Sequence, residues 1–462
     1  MKHYDAIIIG SGQGGTPLAK KLASQGWKTA LIEKKDVGGT CVNVGCTPTK
    51  TMIASAKAAY AVMHANKFGV ETTGYEINMQ AIINRKNKVV ESFRRGSQKS
   101  VERTENLDLI FGIASFVDEK KLQVILNDGG EEEVSAKKIF IDVGTRAAIP
   151  DIEGLHDVGY LTSTTLMELQ QVPEHLLIIG GGYIGLEFGQ MYGRFGSKIT
   201  IVESSERFLS REDEDIAEEV RNILKDEEIE IITNAQVMRV HKNSEIISVT
   251  VKVGDKEKEI YCSHILVSAG RTPNTDALNL EASGIKTNER GYIVSNEKLE
   301  TSVKDIYVIG DVKGGPEFTH IAYNDHIILY NNLIEGKEET ILNRPVPYTM
   351  FTDPQLGRVG ITEQEARKKG LNIKTATLPM AHVARAIETG DTRGLMKAVV
   401  DADNGAILGV AIVGQEGGEV MSVLQMAMIG GITWQEIKDM IFAHPLYAES
   451  LNNLFMRLEE TA

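Results

Sequence analysis

Short, wholly apolar runs rich in β-branched residues alternate with stretches of helical period in this chain. Asp5-Ala6-Ile7-Ile8-Ile9 has no polar interruption after its first residue, the pattern of a buried strand. A helical pattern starts near Thr16-Pro17, with proline at a tolerated first-turn position, and a second strand, Lys28-Thr29-Ala30-Leu31-Ile32, ends in Glu33. The order then returns. Leu176-Leu177-Ile178-Ile179 leads into a helix, followed by Lys198-Ile199-Thr200-Ile201-Val202 and Glu203. Long amphipathic helices are expected at about 49–66 and 79–105. Ile260–Val267 reads as a strand in which Cys262 is a small buried thiol. The pattern is α/β, with one strand–helix–strand unit used twice.

Glycines fill the strand-to-helix joint in both units. Gly10, Gly12 and Gly15 have G-x-G-x-x-G spacing, as do Gly180, Gly182 and Gly185. Such glycines let the backbone approach a pyrophosphate at a helix N-terminus, and the acidic residue ending the second strand accepts from a ribose hydroxyl. Two dinucleotides are therefore expected. At the second site, a 2′-phosphate would lie beside the negative Glu203, whereas a free 2′-hydroxyl would donate to it. NADH is favoured over NADPH, with Arg207 as the counter-argument because it can pair with a phosphate.

Candidate chemistry lies just after the first fingerprint, in Gly38-Gly39-Thr40-Cys41-Val42-Asn43-Val44-Gly45-Cys46-Thr47-Pro48-Thr49-Lys50. Five residues of ideal helix would put the cysteine Cα atoms roughly 8–9 Å apart, while a disulfide needs about 4.4–6.8 Å. A bridge between Cys41 and Cys46 therefore requires a distorted first turn, for which Gly45 and Pro48 are suited. Strained disulfides are the labile and catalytic ones. The bland alternatives are two buried thiols or half of a metal site. Zinc needs two further ligands and none clusters nearby, so no metal is expected. Beside two dinucleotide sites, the pair suggests electrons passing from nicotinamide to flavin to disulfide.

Bulk properties narrow the classes. The 462 residues fit two to four domains. No apolar run approaches the roughly 18 residues of a membrane span, and the N-terminus has no signal-peptide pattern, so the chain is read as cytoplasmic. A net charge of −14, with only short basic pairs such as Lys34-Lys35 and Arg94-Arg95, argues against nucleic acid as a partner. Three cysteines make no structural disulfide framework.

The chain resembles the class I pyridine nucleotide–disulfide oxidoreductases, which include glutathione reductase, dihydrolipoyl dehydrogenase and mercuric reductase. The likeness runs over essentially the whole length. The cysteine run is most similar to the mercuric reductase form. Val143-Gly144-Thr145-Arg146, Ser268-Ala269-Gly270-Arg271-Thr272-Pro273-Asn274, Tyr307-Val308-Ile309-Gly310-Asp311 and Pro347–Pro354 resemble further family segments in the family's order. The resemblance implies two Rossmann-like dinucleotide-binding domains plus a C-terminal α+β dimerisation domain. The segments would be 1–150 and 271–342 for FAD, 151–270 for NAD(P) and 343–462 for dimerisation.

It also implies roles. Cys46 would be the charge-transfer thiol and Cys41 the interchange thiol. Lys50 would sit near the flavin and pair with Glu187, and Tyr183 would gate the nicotinamide. FAD would be held by Gly10, Gly12, Gly14, Gly15, Glu33, Gly39, Thr40, Lys50, Gly144, Gly310 and Asp311. The nicotinamide coenzyme would be held by Gly180, Gly182, Tyr183, Gly185, Glu203 and Gly270. Ala443-His444-Pro445-Leu446-Tyr447-Ala448-Glu449 resembles the family's acid–base motif, with Glu449 orienting His444. An imidazole, ordinarily titrating near 6.5, suits proton exchange with a thiol. In the family this histidine serves the partner's site, which implies a homodimer.

The likeness to mercuric reductase is incomplete. Residues 457–462 hold no cysteine pair, and His444 is kept. Dihydrolipoyl dehydrogenase shares the histidine but carries threonine where Leu446 stands. Phe318–Asp325 and Glu449–Phe455 resemble bacterial reductases linked to reactive chlorine species and hypothiocyanous acid. The expected function is transfer of electrons from NAD(P)H through FAD and Cys41–Cys46 to a small oxidant. Dihydrolipoyl dehydrogenase, or mercuric or reactive-chlorine-species reductase, is the alternative. A flavoprotein that only reports nicotinamide levels is a competing class.

Overall fold

The structure, a computed structural model, describes residues 1–460. Thr461 and Ala462, part of the terminal segment read for cysteines, lie outside the described residues. The chain forms two compact units. The first is assembled from residues 1–51, 81–148 and 270–344, and the second from 52–80, 149–269 and 345–462.

In the first unit, β1 (Lys2–Ile9) lies parallel between β2 (Thr29–Glu33) and β5 (Glu131–Ile141). β3 (Leu107–Asp118) runs parallel to β2 and then pairs antiparallel with β4 (Lys121–Leu126), which pairs with β5. Ile306–Val308 adds to β5 in parallel. The register places Ile9 beside both Ile32 and Ile141. The chain leaves three neighbouring strands there, at Gly10, Glu33 and Asp142. Ligands of open α/β sheets bind outside such carboxyl ends. Ile7, Ile8, Leu31, Phe140 and Ile141 are buried in the cores on the two faces of this sheet.

Helix α1 (Gly15–Ser24) packs its apolar stripe Leu18, Ala19, Leu22 and Ala23 on the sheet. Helix α2 (Gly39–Asn43) and helix α3 (Cys46–Met63) follow β2. The sequence places α3 at about 49–66; it begins three residues earlier. Gly45 supplies the carbonyl that takes the Thr49 amide at 3.1 Å, and Pro48 falls in the first turn, where no intrahelical donor is required.

The second unit repeats the strand–helix–strand arrangement. Its parallel sheet has the order His264–Val267, His175–Ile179, Lys198–Val202, Glu230–Ile232, and helix Tyr183–Arg194 follows the second of these. An antiparallel meander spans Ala235–Cys262. Cys262 ends it as a buried thiol, pushed up to about 12 by desolvation. Residues from 345 onward build a five-stranded antiparallel sheet, packed on helices Gly417–Gly430 and Ser450–Glu460 through Val420, Leu424, Leu451, Leu454 and Phe455.

A buried ion network also lies in the second unit. Arg194 donates twice to Glu227, at 2.7 and 2.8 Å, and twice to Asp353, to its carboxylate at 2.6 Å and its carbonyl at 3.0 Å, with its guanidinium 3.9 Å from the Tyr60 ring. Arg393 pairs with Glu227 at 2.9 Å and Asp391 at 2.7 Å.

Candidate active site

Cys41 and Cys46 occupy different helices. The sequence predicts one helix with a distorted first turn; instead α2 ends at Asn43, Val44 leaves helical geometry at φ −144, and Cys46 opens α3. Gly45 makes the joint possible, because a Cβ there would lie 2.8 Å from the Thr40 carbonyl oxygen. The two side chains meet across this joint, both as thiols. Cys41 is raised far above an ordinary thiol, chiefly by its hydrogen bond with Cys46, then by burial and the Cys46 charge; Thr319 and Lys50 act the other way. The pair thus releases a first proton more readily than a second.

Thr319 is one residue the sequence reading missed. It opens helix Thr319–Ile334, and its Oγ1 is 3.4 Å from Cys46 Sγ. The only sequence signal is its place in Phe318–Asp325, a segment noted for likeness alone.

The first glycine joint fits a dinucleotide. Gly10 has φ +101, and a Cβ at Gly15 would lie 2.4 Å from the Gly10 carbonyl. Glu33 Oε2 accepts from the Ser11 amide at 3.1 Å and hydroxyl at 2.6 Å. Gly39 and Thr40 begin α2, beside that joint: a Cβ on Gly39 would lie 2.7 Å from Gly12 Cα. Gly14 packs against Ile309 and Ala322, and Gly144 has φ +64 with open space around it. Asp142, unforeseen, is a buried carboxyl whose Oδ2 accepts from the Gly15 amide at 2.6 Å. Desolvation raises it well above the usual carboxylate range, with the charges of Asp311 and Asp325 adding and the Gly15 bond opposing. Asp311 takes the Thr145 hydroxyl at 3.3 Å and is also raised by burial. Gly310 donates to the fully buried Asp325 at 2.8 Å, and Asp325 is neutralised by Lys313 at 3.0 Å and Arg344 at 2.7 Å.

The second joint divides three roles among its glycines. Gly180, at φ +104, turns where a Cβ would strike the Ser268 carbonyl at 2.5 Å. A Cβ on Gly185 would lie 2.2 Å from the Gly180 carbonyl. Gly182 faces open space. Close packing at the outer two and a clear approach at the middle one are what a pyrophosphate cradle needs. Gly270 has φ +126. Glu203 accepts from the Gly181 amide at 2.7 Å and the Ser205 amide at 2.8 Å. Burial works against its charge, but these bonds prevail and hold it below the usual range. Arg207 is engaged on both terminal nitrogens, by the Glu212 carbonyl at 2.7 Å and Gln364 at 2.9 Å. Tyr183 donates to Glu212 at 2.9 Å.

Glu187, in the second unit, accepts from the Phe351 amide at 2.8 Å; Lys50 belongs to the first unit. His444 Nδ1 is 2.9 Å from Glu449 Oε2 and 3.1 Å from Oε1. Its side chain is 68% exposed, beside the outward-facing Met440, Ile441 and Leu446.

Residues 4–325 match the family model of the pyridine nucleotide-disulphide oxidoreductases, and residues 346–455 match that family's dimerisation domain. The chain belongs to the pyridine nucleotide-disulphide oxidoreductases. It is 39% identical over 461 residues to the probable pyridine nucleotide-disulfide oxidoreductase RclA of Escherichia coli (strain K12), across 98% of this chain and 99% of that one. It is 37% identical to a mercuric reductase of Lysinibacillus sphaericus, across 97% of this chain and 81% of that one. The solved Cu(II) complex of the HOCl-induced flavoprotein disulfide reductase RclA from Escherichia coli is similar, with a TM-score of 0.91, 38% identity, and coverage of 99% of this chain and 100% of that one.

This oxidoreductase is thus a flavin-dependent enzyme of the disulfide reductase kind. The expected α/β fold and the dimerisation domain are both present. The family uses FAD and a pyridine nucleotide, and the two glycine joints fit such groups. Among the described residues, no helix is long and apolar enough to cross a membrane.

Proposed function

We propose that this oxidoreductase takes electrons from NADH and delivers them, through Cys41 and Cys46, to a small oxidant of the hypothiocyanous acid type. The observation that carries this is the thiol pair meeting across the α2–α3 joint, with the Thr319 hydroxyl on Cys46. A bound flavin would supply hydride acceptance from the nicotinamide and two-electron reduction of a disulfide.

The chain's own residues do the rest. Gly10, Gly12, Gly14, Gly15, Gly39, Thr40, Gly144 and Gly310 would shape the FAD cradle, Glu33 would take a ribose hydroxyl and Asp311 the ribityl chain. Lys50 would stabilise negative charge near the flavin ring. Gly180, Gly182, Gly185 and Gly270 would shape the nicotinamide site, and Tyr183 would gate it. NADH is preferred because Glu203 is held charged where a 2′-phosphate would come, and because Arg207 is already engaged.

Cys41, as thiolate, would attack the sulfur of hypothiocyanous acid and displace hydroxide, which leaves as water. Cys46 would then attack the Cys41 sulfur and expel thiocyanate, closing the disulfide. His444, oriented by Glu449, would take the Cys41 proton and return one to the leaving group. We assign His444 to the partner's site in a homodimer; the exposed Met426, Ile429, Met440, Ile441 and Leu446 support such a covered face.

Cys46→Ser tests the thiol assignment. It should abolish thiol-to-flavin charge-transfer absorbance in the two-electron-reduced protein, and unchanged absorbance would defeat it. Anaerobic turnover with hypothiocyanous acid, lipoamide, glutathione disulfide, Hg(II) and Cu(II), using NADH and NADPH in parallel, tests substrate and coenzyme. Mercury reduction is the second reading, favoured by the form of the cysteine run.

A further inference from the structure

Glu212 is almost wholly enclosed, 1% exposed, yet it lies in the charged run Arg211–Asp215. Four groups converge on it. Its Oε1 accepts from the hydroxyls of Tyr183, at 2.9 Å, and Tyr348. Its Oε2 takes Arg358 Nη1 at 3.3 Å, and its carbonyl takes Arg207. The two tyrosine rings lean together, with centroids 5.2 Å apart and planes at 32°. Burial, and then the Glu212 charge, hold both phenols firmly protonated, and the two hydroxyls also bond each other.

The four partners are not equivalent. Tyr348 and Arg358 sit opposite one another in register on paired strands, Tyr348–Met350 and Gln355–Gly360. Tyr183 is the first residue of its helix and directly follows Gly182, where an added Cβ would meet nothing within 4 Å. Tyr183 is therefore the member free to turn away. When it does, Glu212 keeps Tyr348 and Arg358, so release costs the Tyr183 hydroxyl its bonds to Glu212 and Tyr348 but leaves no unpaired buried charge.

We propose that Glu212 is a positioning residue that latches Tyr183 shut and so sets how readily the second glycine joint admits the nicotinamide end of its dinucleotide. This rests on the reading of Tyr183 as the gate. A latched gate lowers apparent affinity in proportion to the open fraction. A probe lacking nicotinamide does not meet it.

The test is equilibrium binding of NAD⁺ and of ADP-ribose to the oxidised, flavin-loaded protein. Tyr183→Phe keeps the ring and removes the donor. It should bind NAD⁺ about tenfold more tightly, with ADP-ribose unchanged. Glu212→Gln should move NAD⁺ affinity the same way. NAD⁺ affinity in Tyr183→Phe equal to wild type would overturn the latch, as would an equal gain for ADP-ribose. If wild type bound neither probe, the functional reading itself would fail and the latch with it.

Discussion

Thr319 Oγ1 lies 3.4 Å from Cys46 Sγ, at the N-terminus of a sixteen-residue helix. Both the hydroxyl and the positive end of the helix favour a thiolate there. Thr319→Val should weaken the charge-transfer band of the two-electron-reduced protein at neutral pH and move its pH midpoint up by about one to two units, the worth of a hydrogen bond to a charged group. Thr319→Ser should restore it. A spectrophotometric pH titration decides between them.

His444 and Glu449 form a second close pair. Losing a general acid–base typically costs 10²–10⁴-fold. His444→Ala should therefore slow turnover by about 10²-fold or more while leaving anaerobic flavin reduction by NADH at its wild-type rate. Glu449→Gln should cost less, about tenfold. Stopped-flow and steady-state rates on the same preparations separate the two half-reactions.

Asp142 carries a pH dependence whose sign follows from its burial. Its carboxyl is raised in the folded chain, so the folded state holds a proton that the unfolded state has released. Stability therefore falls as pH rises from about 4, where an unfolded aspartate titrates, toward the higher folded value. Asp142→Asn keeps an acceptor for the Gly15 amide and removes the titration. Its melting temperature should exceed wild type by a few degrees at pH 7–8, with the gap narrowing toward pH 4–5.

Arg194 neutralises Glu227 and Asp353 inside the second unit. Arg194→Met leaves two buried carboxylates with weaker compensation, from Arg393 and from Lys57 at 3.4 Å. A loss of about 3 kcal/mol is expected, at the lower end of what breaking a buried pair costs because these cations remain. Chemical denaturation measures it.

Features whose cause is local were legible in the chain. The β-branched runs at Ile7–Ile9 and Ile178–Ile179, the glycine joints and the terminal acids Glu33 and Glu203 all act within one strand–helix–strand unit. Thr319, Asp142 and Glu212 were not legible, because each owes its role to a fold-level closure. Thr319 meets a cysteine 273 residues away, and Asp142 meets an amide 127 away. Glu212 sits in a charged run that reads as a solvated face, yet Glu212 and Asp213 are 1% and 3% exposed. The α2–α3 break was half visible: Gly45 marked a distortion, but not that the chain would use it to end one helix and begin another.

The late arrival of Ile306–Val308 on β5 bears on biosynthesis. Ile139–Ile141 emerge from the ribosome long before the strand that covers them. Until residue 308 is made, that apolar rim stands bare, open to pairing with another nascent chain. A fragment stopped at 269 would carry the same raw edge, so producing the first nucleotide fold by itself would require splicing residues 270–344 behind 148.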